Sequence, residues 1–217
     1  MKFFIDTANV NDIKAACDMG VIYGVTTNPS IIAKEGKKFE DAIREISGII
    51  GPDRVIFAEV IDMKAEGMIK EGQELVKLHN NVVVKIPMCP EGLKAVAGLK
   101  KLGIPTCVTL CFSSCQALLA VNAGASYVAP FVGRVDDIGG DGVGLITEIA
   151  DIFAVQGIET KIVVASTRSP LHIAGIARAG ADIATIPYKV IAQMANHPLT
   201  TNGLAQFMKD WENVPKD

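Results

Sequence analysis

Asn80-Asn81-Val82-Val83-Val84-Lys85-Ile86-Pro87 reads as a strand covered on both faces. Three valines and an isoleucine flank the lysine, and Pro87 ends the run. Unbroken β-branched runs suit a parallel strand buried between layers, whereas a strand with one wet face alternates apolar and polar residues. A lysine in such a strand must find a counter-charge, reach water at the strand end, or lose its proton. The last fate gives the neutral amine that a Schiff-base nucleophile requires. Snorkelling to water is the common alternative. Lys161 illustrates it, opening Lys161-Ile162-Val163-Val164-Ala165 from the first position, where a charge is easily solvated. Lys85 sits late in its strand, and the functional reading leads.

Outward from this run, strand-like and helix-like segments alternate along the chain. The expected strands are Phe3–Asp6, Gly24–Thr27, Val55–Val60, Val82–Ile86, Thr106–Thr109, Tyr127–Pro130, Ile162–Ala165 and Ile183–Ile186. Between them lie amphipathic stretches at Asn11–Met19, Phe39–Ile49, Lys64–Leu78, Glu91–Lys101, Ser114–Ala123, Val143–Ala154 and Pro170–Ala179. Glycine just past a helix recurs, as in Leu102-Gly103-Ile104 and Ala179-Gly180-Ala181. This alternation predicts a parallel sheet, and eight repeats predict an α/β protein built as a (β/α)8 TIM barrel, one domain over residues 1–217. The competing doubly wound sheet would carry a glycine fingerprint after its first strand. Here that strand runs into Asp6-Thr7-Ala8-Asn9, with no glycine before Gly20. Two further helical stretches, Tyr188–Asn196 and Asn202–Trp211, finish the chain. The last shows Leu204, Phe207, Met208 and Trp211 on one face, which predicts packing on its own barrel or docking on a neighbour.

The 217 residues, 49 % hydrophobic, suffice for one large core. No apolar stretch is long enough to span a membrane. The N-terminus enters a strand-like run without a signal-peptide pattern. A net charge of −3 makes no case for nucleic acid or acidic lipid as partner. Five cysteines cannot all pair and occupy apolar or strand-like contexts, so a reducing cytoplasmic location is expected.

Barrel enzymes carry their chemistry at the C-terminal ends of the strands. Those ends present Asp6, then Thr26-Thr27-Asn28, Glu59, Lys85, Thr109, Arg134 beyond Phe131, and Ser166 with Arg168; only the eighth strand contributes none. Singly, Asp6 could cap a helix and Glu59 could merely pair with Lys85. Together, a lysine, two carboxylates, hydroxyls and two arginines read as carbonyl chemistry on a phosphorylated substrate. Lys85 would attack a ketone, and its iminium would serve as the electron sink for breaking the adjacent carbon–carbon bond. Asp6 would take the proton of the collapsing hydroxyl, while Glu59 and Thr109 would hold a proton-shuttling water. Asn28 would contact a substrate hydroxyl, and Arg134, Ser166 and Arg168 would bind phosphate. No cofactor or metal is expected: His79, His172 and His197 are scattered. Cys107, Cys111 and Cys115 read as small apolar packing, and Cys89 carries no mark of activation. Asp136-Asp137 and Asp141 read as a solvated loop, and the glycines of Gly139-Gly140-Asp141-Gly142 as loop flexibility.

These residues resemble the small transaldolases and the related fructose 6-phosphate aldolases. The likeness is carried by FIDTAN at Phe4–Asn9, GVTTNPSII at Gly24–Ile32, AEGM at Ala65–Met68, VVKIP at Val83–Pro87, APFVGRVDDIGGDG at Ala129–Gly142 and VVAS at Val163–Ser166. The resemblance implies a Schiff-base mechanism that moves a dihydroxyacetone unit between sugar phosphates of the pentose phosphate pathway. It implies that Thr27, Ala129 and Phe131 also line the substrate site. Homo-oligomers are implied too, pentameric rings stacking into decamers with the C-terminal helix on a neighbour.

Glu59 and Phe131 resemble the transaldolase branch, where the aldolase branch has glutamine and tyrosine. A phenol can protonate the bound three-carbon intermediate and free it; phenylalanine leaves it waiting for an acceptor aldehyde. Ala129 and Cys107 depart from the serine and asparagine of many transaldolases and resemble the apolar aldolase pattern. Transaldolase is the expected activity. Aldolase and a non-catalytic sugar-phosphate-binding barrel remain as alternatives.

Overall fold

In the computed structural model, which describes residues 1–215, eight parallel strands close into a barrel in chain order. They are β1 (Lys2–Asp6), β2 (Gly24–Thr26), β3 (Val55–Glu59), β4 (Val82–Pro87), β5 (Thr106–Cys111), β6 (Tyr127–Pro130), β7 (Lys161–Val164) and β8 (Ile183–Ile186). β8 pairs back onto β1 from Lys2↔Ile183 to Ile5↔Ile186, so the sheet keeps no open edge. This is the expected (β/α)8 architecture, and every strand lies on the apolar run that announced it.

The helices are α1 (Val10–Asp18), α2 (Pro29–Lys34), α3 (Phe39–Ile50), α4 (Ala65–Leu75), α5 (Pro90–Lys101), α6 (Ser114–Ala123), α7 (Val132–Asp137), α8 (Gly142–Gln156), α9 (Pro170–Arg178), α10 (Tyr188–Ala195) and α11 (Pro198–Glu212). Side chains just past the strands start several of them. Asn9 accepts from the Asn11 and Asp12 amides, Ser113 from Gln116, and Ser169 from His172, with Pro170 in the first turn of α9. Helices α2 and α7 are additions to the expected pattern, since six residues are too few to display a helical period.

The two faces of each strand serve two cores. Outward residues such as Val25, Ile56, Val84, Ile86, Val108 and Val128 pack under the helices. Inward residues Phe4, Phe57, Val83, Cys107, Ala129, Val163 and Ile183 fill the barrel. Phe57 anchors this plug, with ring centroids 5.3 Å from Phe4 and 5.1 Å from Tyr127. Burial on both faces is why the strands lack alternation. Cys107 and Cys111 fit the expected apolar packing, and burial pushes both thiols up, Cys111 to about 12. Cys115 does not: it is exposed on α6.

Lys161 is solvated as expected and pairs with Asp182 at 3.2 Å. Helix α11 has no buried residue, and Leu204, Phe207, Met208 and Trp211 are all exposed, so its apolar face does not pack on its own barrel. No helix among the described residues is long and apolar enough to cross a membrane.

Candidate active site

The period of two that builds the plug also builds the site above it. Two residues beyond Phe4, Gly24, Phe57, Val83, Cys107, Ala129 and Ile183 come Asp6, Thr26, Glu59, Lys85, Thr109, Phe131 and Thr185. A cavity of about 130 Å³ sits over the plug. Asp6, Asn28, Lys85, Ala129, Phe131, Arg134 and Ser166 line it, joined by Thr26, Phe57, Val163, Ala165 and Thr185. A wider cleft of about 440 Å³ beside α4 reaches Glu59 but not Lys85, and so lacks the nucleophile.

Lys85 is 5 % exposed, and of its possible fates the fold supplies a counter-charge. Its Nζ lies 3.0 Å from Glu59 Oε2, across strands paired Glu59↔Lys85. It also donates, at 3.5 Å, to the carbonyl of Thr27. The Thr27 hydroxyl is committed to Phe57 O at 3.0 Å, and its side chain is not a cavity wall.

Asp6 accepts from Thr26 Oγ1 at 2.9 Å, and the Thr26 hydroxyl contacts that of Thr185. Burial raises the Asp6 carboxyl above its ordinary value, while the Lys85 charge and the Thr26 hydrogen bond offset part of that rise. Thr109 is buried, and its Oγ1 has no hydrogen-bond partner among the described residues. Its side chain is not among the walls of that cavity.

Asn28 has two tasks. Its Oδ1 accepts from the Ile31 amide at 2.9 Å and caps α2, leaving its NH2 for the cavity. The Phe131 ring packs on Phe112 at 5.5 Å and carries the Arg134 guanidinium at 5.0 Å. Ser166 adopts the left-handed region at φ 61°, a conformation that costs a serine about 1 kcal/mol or more. Its carbonyl accepts from Gly133 N–H at 3.1 Å, and a Cβ on Gly133 would stand 2.3 Å from that oxygen. Glycine is therefore needed where α7 meets the loop after β7.

Arg168 stands outside the cavity wall, exposed and paired with Asp137. Other expectations need correcting. The acidic stretch is solvent-exposed as expected, but it is helix and helix cap rather than loop. Asp136 accepts from Gly142 N–H at 2.8 Å and faces His172 Nε2 at 3.0 Å, while Asp141 caps α8. Gly142 serves close packing, since a Cβ would lie 2.4 Å from Val132 O; of its glycine neighbours only Gly139 has a positive φ. The eighth strand also contributes to the site, through Thr185. Its inward position in Ile183-Ala184-Thr185-Ile186 was the available signal, hidden because the residue lies before the strand end.

A family model described as Transaldolase/Fructose-6-phosphate aldolase matches residues 3–217. A Clostridium botulinum (strain Eklund 17B / Type B) protein named "Probable transaldolase" is 59 % identical over 216 residues, covering 100 % of both chains. A Geobacter sulfurreducens protein of the same name is 58 % identical over 216 residues, again covering 100 % of both. A third of that name, from Clostridioides difficile (strain 630), is 60 % identical over 214 residues, 99 % of this chain and 98 % of the other. With a lysine–carboxylate pair at the mouth of a closed parallel barrel and such likeness along its length, this chain belongs to the transaldolase/fructose-6-phosphate aldolase family of enzymes.

Proposed function

We propose that the protein is a transaldolase that carries a dihydroxyacetone unit from sedoheptulose 7-phosphate to glyceraldehyde 3-phosphate, giving erythrose 4-phosphate and fructose 6-phosphate. The observation that carries this reading is the ion pair of buried Lys85 with Glu59, beside the Asp6 carboxyl. The names of the relatives and the phenyl ring of Phe131 in the cavity favour transfer over release.

Glu59 takes a proton from Lys85, and the free amine adds to the donor ketone. Loss of water from the carbinolamine leaves an iminium. Asp6 then takes the proton of the hydroxyl next to the scissile bond, an aldehyde departs, and the bonding pair collapses into a neutral enamine. The lysine charge that holds Asp6 down disappears at this step, so Asp6 retains its proton. When the acceptor aldehyde adds, the enamine becomes an iminium again and Asp6 returns the proton to the new alkoxide. Water held by Glu59 and Thr109 hydrolyses the product imine. Arg134, Ser166 and Arg168 bind the substrate phosphate, Asn28 a hydroxyl, and the Thr27 carbonyl orients Lys85.

Borohydride with fructose 6-phosphate should leave a three-carbon adduct on Lys85; active protein with an unmodified Lys85 sinks the mechanism. Dihydroxyacetone formed equally fast with and without erythrose 4-phosphate would favour the aldolase reading instead.

The unburied apolar face of α11 supports a homo-oligomer in which this helix docks on a neighbouring barrel. Sedimentation that gives a monomer would overturn it.

A further inference from the structure

Arg168 stands apart from the other phosphate-binding candidates. Arg134 and Ser166 line the cavity, whereas both terminal nitrogens of Arg168 are held by Asp137, Nη1 by Oδ1 and Nη2 by Oδ2. Asp137 is the last residue of α7, the helix that carries Arg134. The Arg168 side chain crosses Gly133, where a Cβ would come 2.7 Å from Nε. Asp137 is held below the usual carboxylate range by the Arg168 hydrogen bonds first, and also by the charges of Arg168 and Arg134. One carboxylate thus answers to both arginines of the proposed anion site.

Asp136 is not equivalent, because the Gly142 amide and His172 already occupy its oxygens. A carboxylate seated on a guanidinium fork presents two oxygens as a phosphate does. A phosphate that binds Arg168 through the same fork must displace Asp137.

We infer that Asp137 is a specificity-determining residue, a resident counter-anion that holds the Arg168 fork until the phosphate of a sugar substrate replaces it. This rests on the reading of the Lys85 cavity as a sugar-phosphate site. Exchange of one anion for another favours the ligand of higher charge density, so a phosphate dianion displaces Asp137 where a neutral sugar terminus has nothing to offer the arginine. The pair is solvent-exposed, so the competition is worth a small factor in affinity.

The test is calorimetric titration of the full chain with inorganic phosphate at fixed ionic strength, using Asp137→Asn, Arg168→Gln and the double variant. Asp137→Asn should bind phosphate about two- to fivefold tighter. In the Arg168→Gln background the same change should do nothing. Unchanged or weaker binding by Asp137→Asn overturns the proposal, since Asp137 would then only orient the arginine. An equal gain without Arg168 also overturns it, as an effect of net charge alone. Asp137→Asn should also lower the KM for fructose 6-phosphate relative to that for fructose; an equal effect on both counts against it. Borohydride trapping with dihydroxyacetone, which carries no phosphate, reports Lys85 separately. Failure of the phosphate test with trapping intact therefore removes the role of Asp137 and leaves the Schiff base standing.

Discussion

Glu59 Oε2 and Lys85 Nζ meet at 3.0 Å between neighbouring strands, with 14 % and 7 % of the two side chains exposed. Either charge is left poorly solvated when the other is removed. Lys85→Met should therefore destabilise the fold by about 3–5 kcal/mol although it adds an apolar side chain to an apolar strand. Lys85→Met with Glu59→Gln should recover most of that loss, because no unpaired charge remains. Equilibrium unfolding of the two variants checks this; a double variant no more stable than the single one contradicts it.

Glu59→Gln keeps the shape of the side chain and removes the proton acceptor. Schiff-base formation should slow by about 100-fold or more, read as the rate of borohydride trapping at Lys85. Trapping at the unaltered rate would make Glu59 a purely structural partner.

Asp6 titrates above its ordinary 3.8 because burial penalises its charge. A carboxyl held above its unfolded value contributes stability below that value, and the contribution is lost as pH rises through the folded value. Asp6→Asn should therefore melt higher than the parent at neutral pH, by about 2–4 °C for each kcal/mol relieved, with the gap closing in acid. Turnover should be abolished at every pH. A lower melting temperature at pH 7 than the parent's would show that the carboxylate is well accommodated.

The unpartnered Thr109 hydroxyl makes a separable prediction. Thr109→Val removes a buried polar group at nearly constant volume, so stability should hold or rise by about 1 kcal/mol. Turnover should fall by about tenfold or more if that hydroxyl holds the catalytic water. A variant both stable and fully active removes Thr109 from the mechanism.

Phe131 closes the cavity with a ring that offers no proton. Phe131→Tyr should raise acceptor-independent release of dihydroxyacetone while trapping at Lys85 persists. Release unchanged from the parent would mean that the protonating group lies elsewhere.

The strands are legible in the chain because burial on both faces demands uninterrupted apolar runs such as Val82–Ile86. The same period of two makes Asp6, Glu59, Lys85 and Thr109 readable as groups at the barrel mouth. Helices α2 and α7 escape notice, being too short to show a period. Thr185 escapes because it stands one residue before the end of β8 and looks like a strand-interior threonine. The AEGM stretch marks the start of α4, and its Gly67 packs against Asp62 rather than joining the cavity.

What the sequence determined by itself is the repeat, the closure it implies and the chemical character of the residues at the strand ends, because these depend on local pattern and residue type. Which of those residues share one cavity is decided only when strands distant in the chain come into register. That step pairs Lys85 with Glu59, sets Thr26 between Asp6 and Thr185, and commits Thr27 to Phe57. It also hands Arg168 to Asp137, 31 positions away. Burial, charge pairing and competition for hydrogen-bond partners are properties of the assembled barrel, and no short stretch of the chain contains them.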